Sequence, residues 1–240
     1  MFRILIANSK GGAGKTMLTS NLAGFFAQNG RCTTLVDCDP QGSSASWCGM
    51  RPPHLPIVHC VSSSDPAHGL ASGWVLRLPV ATEYLLIDTP AGLRSHEMAS
   101  LIRHADVLLI PIVPSALDLR ATLAFLDKLR RLPEIRSGKV HVALVANRIR
   151  ERTVAARELD AVLQRLTENA LIAVRDSQAY VGLASTGCSL FDESKPAQDH
   201  IADWQPLLVW LLAKAHALAE RASNEPVVPL RPRIASLAQA

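Results

Sequence analysis

Two lysines stand at either end of a glycine-rich segment near the start of this 240-residue chain. The segment reads Lys-Gly-Gly-Ala-Gly-Lys-Thr over residues 10–16. An apolar run precedes it, and a stretch compatible with a helix follows it. A glycine-rich loop between a strand and a helix turns its backbone N–H groups toward an anion. This order of elements predicts a loop that binds nucleotide phosphates.

The side chains that close the loop indicate how a nucleotide would be held. Lys15 would reach β- and γ-phosphate oxygens, and the Thr16 hydroxyl would bind Mg²⁺. The ordinary phosphate loop has its first glycine five residues before Gly14, where this chain has Ser9, and the sequence instead gives Lys-Gly-Gly-x-Gly-Lys-Thr, the deviant Walker A pattern. The residues predicted to contact the nucleotide here are Lys10, Gly11, Gly12, Ala13, Gly14, Lys15, Thr16 and Met17.

Lys10 is the lysine that the ordinary phosphate loop does not need. At the loop entrance it is hard to aim at the same phosphates as Lys15 within one subunit. Across a two-fold dimer it would reach the partner's nucleotide and neutralise charge on the transferred phosphoryl group, as an arginine finger does. The alternative interpretation is a solvated lysine at the edge of a loop.

Carboxylates follow two further apolar runs. Asp37 and Asp39 come after one run and Asp88 ends another. A carboxylate at the end of a buried strand is costly unless a metal or water satisfies it, and the carboxyl ends of parallel strands line the ligand crevice. We expect Asp39 to orient the attacking water, and Asp37 to support the loop. The predicted Mg²⁺-binding residues are Thr16, Asp39 and Asp88, and the predicted catalytic residues are Lys10, Lys15 and Asp39.

Asn147 and Arg148 follow a later apolar run. An asparagine carries a donor and an acceptor on one amide, which suits the edge of an adenine ring. The pair is therefore predicted to bind the base. The alternative is that Asn147 caps a helix or stabilises a turn.

Apolar runs and helical stretches alternate along the chain, which predicts an α/β fold with a doubly wound, mostly parallel sheet flanked by helices. The predicted strands are 2–7, 33–36, 56–61, 84–87, 107–112, 140–146 and a weaker one at 171–174. The predicted helices are 15–28, 43–50, 95–104, 115–131, 153–167, 177–184 and 201–222. Ser115 and Asp118 have the spacing of a capping box at one helix start. Residues 1–222 are predicted to form one domain, and the proline-containing segment 223–240 a flexible tail.

Composition limits the class of protein. The chain is 48% hydrophobic and carries a net charge of +4, which suits a large globular domain and is compatible with nucleic-acid contact. Its five cysteines show no metal-binding spacing, so we expect reduced thiols in a cytoplasmic protein. We expect no signal peptide, and no apolar run reaches the ~20 residues of a spanning helix.

Taken together, these motifs resemble those of the ParA/MinD group of deviant Walker A ATPases. The resemblance covers about residues 2–215 and is carried by 10–16, 37–41, 87–90, 147–148 and a late segment from Arg175 to Asp192. It implies a P-loop NTPase that binds ATP or ADP with Mg²⁺, forms an ATP-sandwich homodimer and hydrolyses ATP weakly until a partner stimulates it.

The same resemblance implies a cellular role. Small members of the group bind DNA without sequence preference and are nucleoid-associated. With a ParB-like or McdB-like adaptor they position a plasmid, a chromosome or a protein organelle such as a carboxysome. One departure concerns Met17, because the group usually has threonine there, whose bond to the α-phosphate would be lost.

Rival interpretations remain open at this stage. A MinD-like membrane-cycling ATPase would need a basic amphipathic C-terminal helix. Segment 201–222 has few basic residues, so no membrane partner is predicted. The residues of this segment expected in the core are Trp204, Leu207, Leu208, Trp210 and Leu211. A nitrogenase-reductase-like iron–sulfur protein would need two cysteines after Asp88, where only Cys188 is found. A P-loop kinase and a non-enzymatic scaffold are further alternatives.

DNA binding has weaker support in the sequence. The second half of the chain is basic, but acidic residues are interleaved, as on a solvated helix face. Any contact is expected to be directed to phosphates, with Arg175 contributing. The basic residues considered are Arg130, Arg131, Arg136, Lys139, Arg148, Arg150, Arg152, Arg157 and Arg165.

Overall fold

A computed structural model describes residues 1–63, 72–150, 153, 171–192 and 198–224. Its centre is a seven-stranded sheet in the order β3-β2-β4-β1-β5-β6-β7. Every pair of neighbouring strands in it is parallel. The predicted α/β fold class is confirmed.

The strands follow the apolar runs of the sequence, with small shifts at their ends. They are β1 Phe2–Ile6, β2 Thr33–Asp37, β3 Val58–Ser62, β4 Tyr84–Asp88, β5 Val107–Ile112, β6 His141–Ile149 and β7 Leu171–Arg175. The largest difference is in β6, which continues three residues beyond the prediction. Asn147 and Arg148 therefore lie within the last strand residues rather than after the strand, where the pairing register with β7 shifts between Ala146 and Ile149.

The described helices also match the predicted segments closely. They are α1 Lys15–Gln28, α2 Ser43–Met50, α3 Ser95–Arg103, α4 Ala116–Leu129, α5 Pro133–Arg136, α6 Gln178–Ala184 and α7 Gln198–Asn224. The short α5 and a 3₁₀ helix at Ser72–Arg77 were not predicted. The predicted helix at 153–167 and the predicted tail lie outside the described residues, apart from Thr153 and residues 223–224.

Each face of the sheet carries its own apolar cluster. Alternate residues of β1 point to opposite faces, so Ile4 and Ile6 join one cluster, while Leu5 and Ala7, which directly follows the strand, join the other. The first cluster packs under α1, α2, α6 and α7. The second packs under α3 and α4. This coverage of both faces explains why the strands read as continuous apolar runs.

The predicted capping box at the start of α4 is wrong. Ser115 is the N-cap residue, but its side chain makes no capping hydrogen bond. The carboxylate of Asp118 instead lies 3.6 Å from the ammonium of Lys10. The Asp118 carboxylate, which the local spacing predicted to cap α4, therefore pairs with Lys10 at the loop entrance.

The order of the strands brings the chemistry-bearing residues to one edge. The chain runs from β1 through β2 and β3 to β4 on one side, and then crosses to β5 on the other side of β1. The crevice outside the carboxyl ends of the strands at such a switch point is where α/β sheets bind ligands. Ile6 and Asp37 both pair with Asp88 in register, so the ends of β1, β2 and β4 are level.

Candidate nucleotide site

Residues 7–14 form a loop between β1 and α1, and the motif at residues 10–16 runs from this loop into the first two residues of the helix. Gly14 is the N-cap of α1, with φ of 91°, in the left-handed region that favours glycine. A Cβ atom at this position would overlap the side-chain amide of Asn147. Lys15 begins the helix and is only 8% exposed. Burial lowers the pKa of Lys15, and the charges of Asp88 and Asp39 oppose this shift.

A cavity of about 590 Å³ opens over this loop. It is lined by the loop glycines, by α2 and by segments after β2 and β4; the lining residues include Gly12, Lys15, Thr16, Asp39, Trp47 and Arg148. A second cavity of about 760 Å³ shares Met17, Arg148 and Ala184 with it and continues toward β7 and α6. The first cavity, beside the loop, suits a chain of phosphates and is named the phosphate cavity. The second, adjoining cavity suits a nucleoside.

The carboxylate of Asp88 lies at the inner end of the site. Its Oδ2 accepts hydrogen bonds from the Thr16 hydroxyl at 2.8 Å and from the Ser44 hydroxyl. Its Oδ1 is buried and has no hydrogen-bond partner among the described residues. Burial raises the pKa of Asp88 to about 6, against the effect of these two hydroxyls. An unsatisfied carboxylate oxygen beside a threonine hydroxyl is a donor set that fits Mg²⁺ or a water molecule bound to it.

Asp37 and Asp39 have different surroundings. Asp37 is fully buried, and its carboxylate accepts the N–H groups of Asp39 and Ala45 at 2.9 and 2.8 Å. Burial raises the pKa of Asp37, and these two backbone hydrogen bonds oppose the shift. It therefore holds the loop between β2 and α2 in place, which agrees with its predicted supporting role. Asp39 lines the phosphate cavity, and its carboxylate accepts the N–H of Gln41 at 2.9 Å.

Lys10 points to a different place from Lys15. Its side chain lies beside Asp118 of α4, and Lys10 does not line the phosphate cavity. Asn8 fixes this part of the loop, because its Oδ1 accepts the Lys10 N–H at 3.2 Å while its Nδ2 donates to the Pro111 carbonyl at 2.6 Å. Asn8, two residues before Lys10, thus ties the loop entrance to the end of β5.

Asn147 contacts the phosphate loop directly. Its buried Nδ2 donates to the carbonyl of Ala13 at 2.8 Å, and its Oδ1 accepts the N–H of Arg148 at 2.9 Å. Arg148 has φ of 55°, a left-handed conformation at a non-glycine residue, and its exposed side chain borders both cavities. The predicted contact of Asn147 and Arg148 with adenine stays a prediction, and the observed role of the asparagine is to hold the loop.

Other predicted residues do not line the cavity over the loop. Arg175 binds Asp203 through two hydrogen bonds of 2.6 and 2.9 Å, and it also borders the second cavity. On α7, Trp204, Leu207, Leu208 and Leu211 are buried, which confirms that they belong to the core, whereas Trp210, also predicted there, is only partly buried. None of the helices in the described part of the chain is long and apolar enough to cross a membrane.

Sequence reasoning missed three residues of this site. Ser44 binds Asp88, Asp118 binds Lys10, and Asn8 joins two strands' ends. Asn8 offered a signal, since a polar residue directly after a buried strand must find partners. Ser44 lies among similar small residues in α2 and offered none.

This fold and site define a class of protein. The model of the CobQ/CobB/MinD/ParA nucleotide-binding domain matches residues 4–187, and the chain belongs to this family. The resemblance noted in the sequence is thereby confirmed.

Known proteins resemble this chain over most of its length. Maintenance of carboxysome distribution protein A of Halothiobacillus neapolitanus is 29% identical over 195 residues, which cover 79% of this chain and 87% of that protein. The ATP complex of a Cyanothece McdA variant has a TM-score of 0.66 at 18% identity and covers 86% of this chain and 96% of that one. Septum site-determining protein MinD of Pyrococcus horikoshii, complexed with Mg-ADP, has a TM-score of 0.65 at 18% identity. The match covers 95% of this chain and 99% of that one. These structural likenesses support the fold.

Proposed function

We propose that this protein is a ParA-type ATPase that dimerises on ATP, binds DNA without sequence preference and positions cargo. ATP and Mg²⁺ occupy the two adjoining cavities, and an adaptor protein of the ParB or McdB kind stimulates hydrolysis. The similarity to a carboxysome distribution protein favours a protein organelle as the cargo over a plasmid or a chromosome. This role places the protein on the nucleoid.

One observation carries the proposal: the two lysines of the loop face different places. Lys15 lines the phosphate cavity, whereas Lys10 lies outside it beside Asp118. A lysine whose only task was to bind the subunit's own phosphates would line the same cavity. The side chain of Lys10 is 45% exposed and is therefore accessible to a second subunit.

The residues of the site divide the chemistry among them. Lys15 and the loop N–H groups hold the phosphates, while Thr16 and Asp88 hold Mg²⁺, which neutralises phosphate charge. Asp39 orients the attacking water from the loop between β2 and α2. Lys10 enters the partner's site and stabilises the charge that develops on the transferred group.

The proposal is tested by measuring whether the protein with ATP shifts the electrophoretic mobility of DNA, and whether this shift depends on the nucleotide site. We expect wild-type protein with ATP and Mg²⁺ to shift plasmid-length DNA at low salt, and the shift to weaken steeply as salt is raised. Asp39→Ala should bind DNA persistently and run as a dimer in gel filtration, because ATP is bound but not hydrolysed. Lys15→Ala should bind neither nucleotide nor DNA.

The controls separate the parts of the proposal. Lys139→Ala removes an exposed lysine remote from the loop, and it should keep nucleotide binding. ATP binding without any DNA shift at low salt would contradict the proposed positioning function but not the proposed nucleotide site. Retained ATP affinity in Lys15→Ala would remove the site itself, and a monomeric Asp39→Ala would contradict the role of Asp39.

A further inference from the structure

Two cysteines meet where α2 packs on the edge of the sheet. Cys60 lies on the edge strand β3, opposite Leu35 in the register with β2. Leu35 belongs to the apolar cluster under α2, so Cys60 faces that helix. Cys48 of α2 packs against the same cluster, and all five cysteines of the chain are free thiols.

The two thiols share a hydrogen bond, which affects their pKa values in opposite directions. The hydrogen bond with Cys48 lowers the pKa of Cys60, which burial opposes, whereas the same hydrogen bond together with burial raises the pKa of Cys48. Cys60 is also exposed and Cys48 only partly so. An accessible thiol of lowered pKa next to a second thiol is the arrangement found at reversible oxidation sites.

We propose that Cys48 and Cys60 form an oxidative modification site, at which hydrogen peroxide converts the two thiols into a disulfide that ties α2 to β3. The Cys60 thiolate attacks one peroxide oxygen, the O–O bond breaks, and hydroxide leaves and is protonated to water. The Cys48 thiol then attacks the sulfenic sulfur, forming the S–S bond and releasing a second water. The two sulfurs are oxidised and the peroxide oxygens are reduced.

A metal ion is a less suitable partner for these thiols. The described part of the chain contains no group of three or more His, Cys, Asp or Glu side chains that could hold a metal ion. Two thiolates alone leave a tetrahedral site half filled. Disulfide formation, in contrast, needs only the two sulfurs and an oxidant.

The position of α2 connects this pair to the nucleotide site, and this part of the inference rests on the proposed function. The first turn of α2 holds Asp88 through Ser44 and Asp37 through the N–H of Ala45. Trp47 and Met50 of the same helix line the phosphate cavity. A disulfide in the last turn would restrain this wall of the cavity, so nucleotide would leave more slowly from oxidised protein.

Peroxide treatment followed by peptide mapping without reduction tests the site. We expect wild-type protein to lose two hydrogens in intact mass, to remain monomeric on a non-reducing gel, and to yield one linked peptide pair containing Cys48 and Cys60. Dithiothreitol should reverse the change. Cys48→Ser and Cys60→Ser should each prevent the linkage, and Cys32→Ser, which removes a partly buried thiol outside the pair, should not.

Three results would overturn the site: a different cysteine pair, linkage between two chains, or oxygen addition alone at Cys60. The connection to the nucleotide site is tested with a fluorescent ADP analogue. We expect its dissociation rate to decrease about threefold or more after oxidation. An equal rate in oxidised and reduced protein would overturn the connection to α2. Since the disulfide is detected by mass, its outcome is independent of whether the protein is an ATPase.

Discussion

At the scale of single residues, the site is governed by buried charge. Asp88 is 1% exposed, and only one of its two carboxylate oxygens has a hydrogen-bond partner in the described part of the chain. In water such a group is ionised at neutral pH, whereas burial favours its protonated form here. In the proposed nucleotide-bound state, Mg²⁺ would offset the unfavourable burial of this carboxylate.

Asp88→Asn should therefore stabilise the protein in the absence of Mg²⁺ and nucleotide. The folded-state pKa of about 6 lies above the unfolded value, so this carboxylate removes stability as pH rises from about 4 through 6. The gain in unfolding free energy should be near zero at pH 4 and reach up to about 3 kcal/mol at pH 8. Urea denaturation across this pH range measures it.

Asp203→Asn is a control in which the effect on the free energy of unfolding should have the opposite sign. Burial raises the pKa of Asp203, but the hydrogen bonds from Arg175 outweigh it and the net shift is downward. This carboxylate therefore adds stability above its unfolded pKa, and that stability is lost as pH falls through the lower folded pKa. A pH-independent gain in Asp88→Asn would contradict the explanation by buried charge.

At the scale of elements, the end of β6 and the phosphate loop act as one unit. Asn147 Nδ2 donates to the Ala13 carbonyl, and Gly14 has no Cβ because that amide occupies the space. The register shift at the end of β6 and the left-handed Arg148 bring the amide there. Loop conformation therefore depends on a strand two positions away in the sheet.

Asn147→Ala separates support of the loop from recognition of adenine. Because both ends of the amide already have partners, we expect ATP and GTP affinities to fall by a similar factor of about three to ten, the value of one hydrogen bond. Fluorescent-nucleotide titrations measure both. Arg150→Ala, which changes the wall of the second cavity without touching the loop, is the matched control. Selective loss of ATP affinity in Asn147→Ala would instead support the adenine contact.

At the scale of the whole molecule, the ion pair between Lys10 and Asp118 holds the second lysine in its own subunit. If Lys10 acts in a partner's site, this contact must break when two subunits join. The carboxylate and ammonium are 3.6 Å apart and partly exposed, so the pair is weak enough to be exchanged.

Asp118→Asn should favour the ATP-dependent dimer. Removing a surface ion pair is worth at most about 1 kcal/mol, so the dimer should form at a protein concentration about two to five times lower. Sedimentation velocity with ATP and Mg²⁺ measures this. Asp127→Asn changes the same charge on the same helix, where Asp127 pairs with Arg130. An equal shift in both variants would assign the effect to net charge rather than to Lys10.

The sequence by itself determined the fold class and most of the strands and helices. Continuous apolar runs such as 107–112 can be satisfied only when both faces of a sheet are covered, and glycines next to a lysine and a threonine specify a phosphate loop. These properties are local, so a linear chain displays them. The two aspartates Asp37 and Asp88 were predicted at the same edge for the same reason, because each directly follows an apolar run.

Only the tertiary structure decided which side chains meet. Ser44 with Asp88, Asp118 with Lys10 and Asn147 with Ala13 are contacts between elements far apart in the chain. The spacing of Ser115 and Asp118 predicted a local cap, but an ammonium brought over by the fold took the carboxylate instead. Polar groups pair with whatever the packing of the apolar core places beside them, and the chain order does not carry that information.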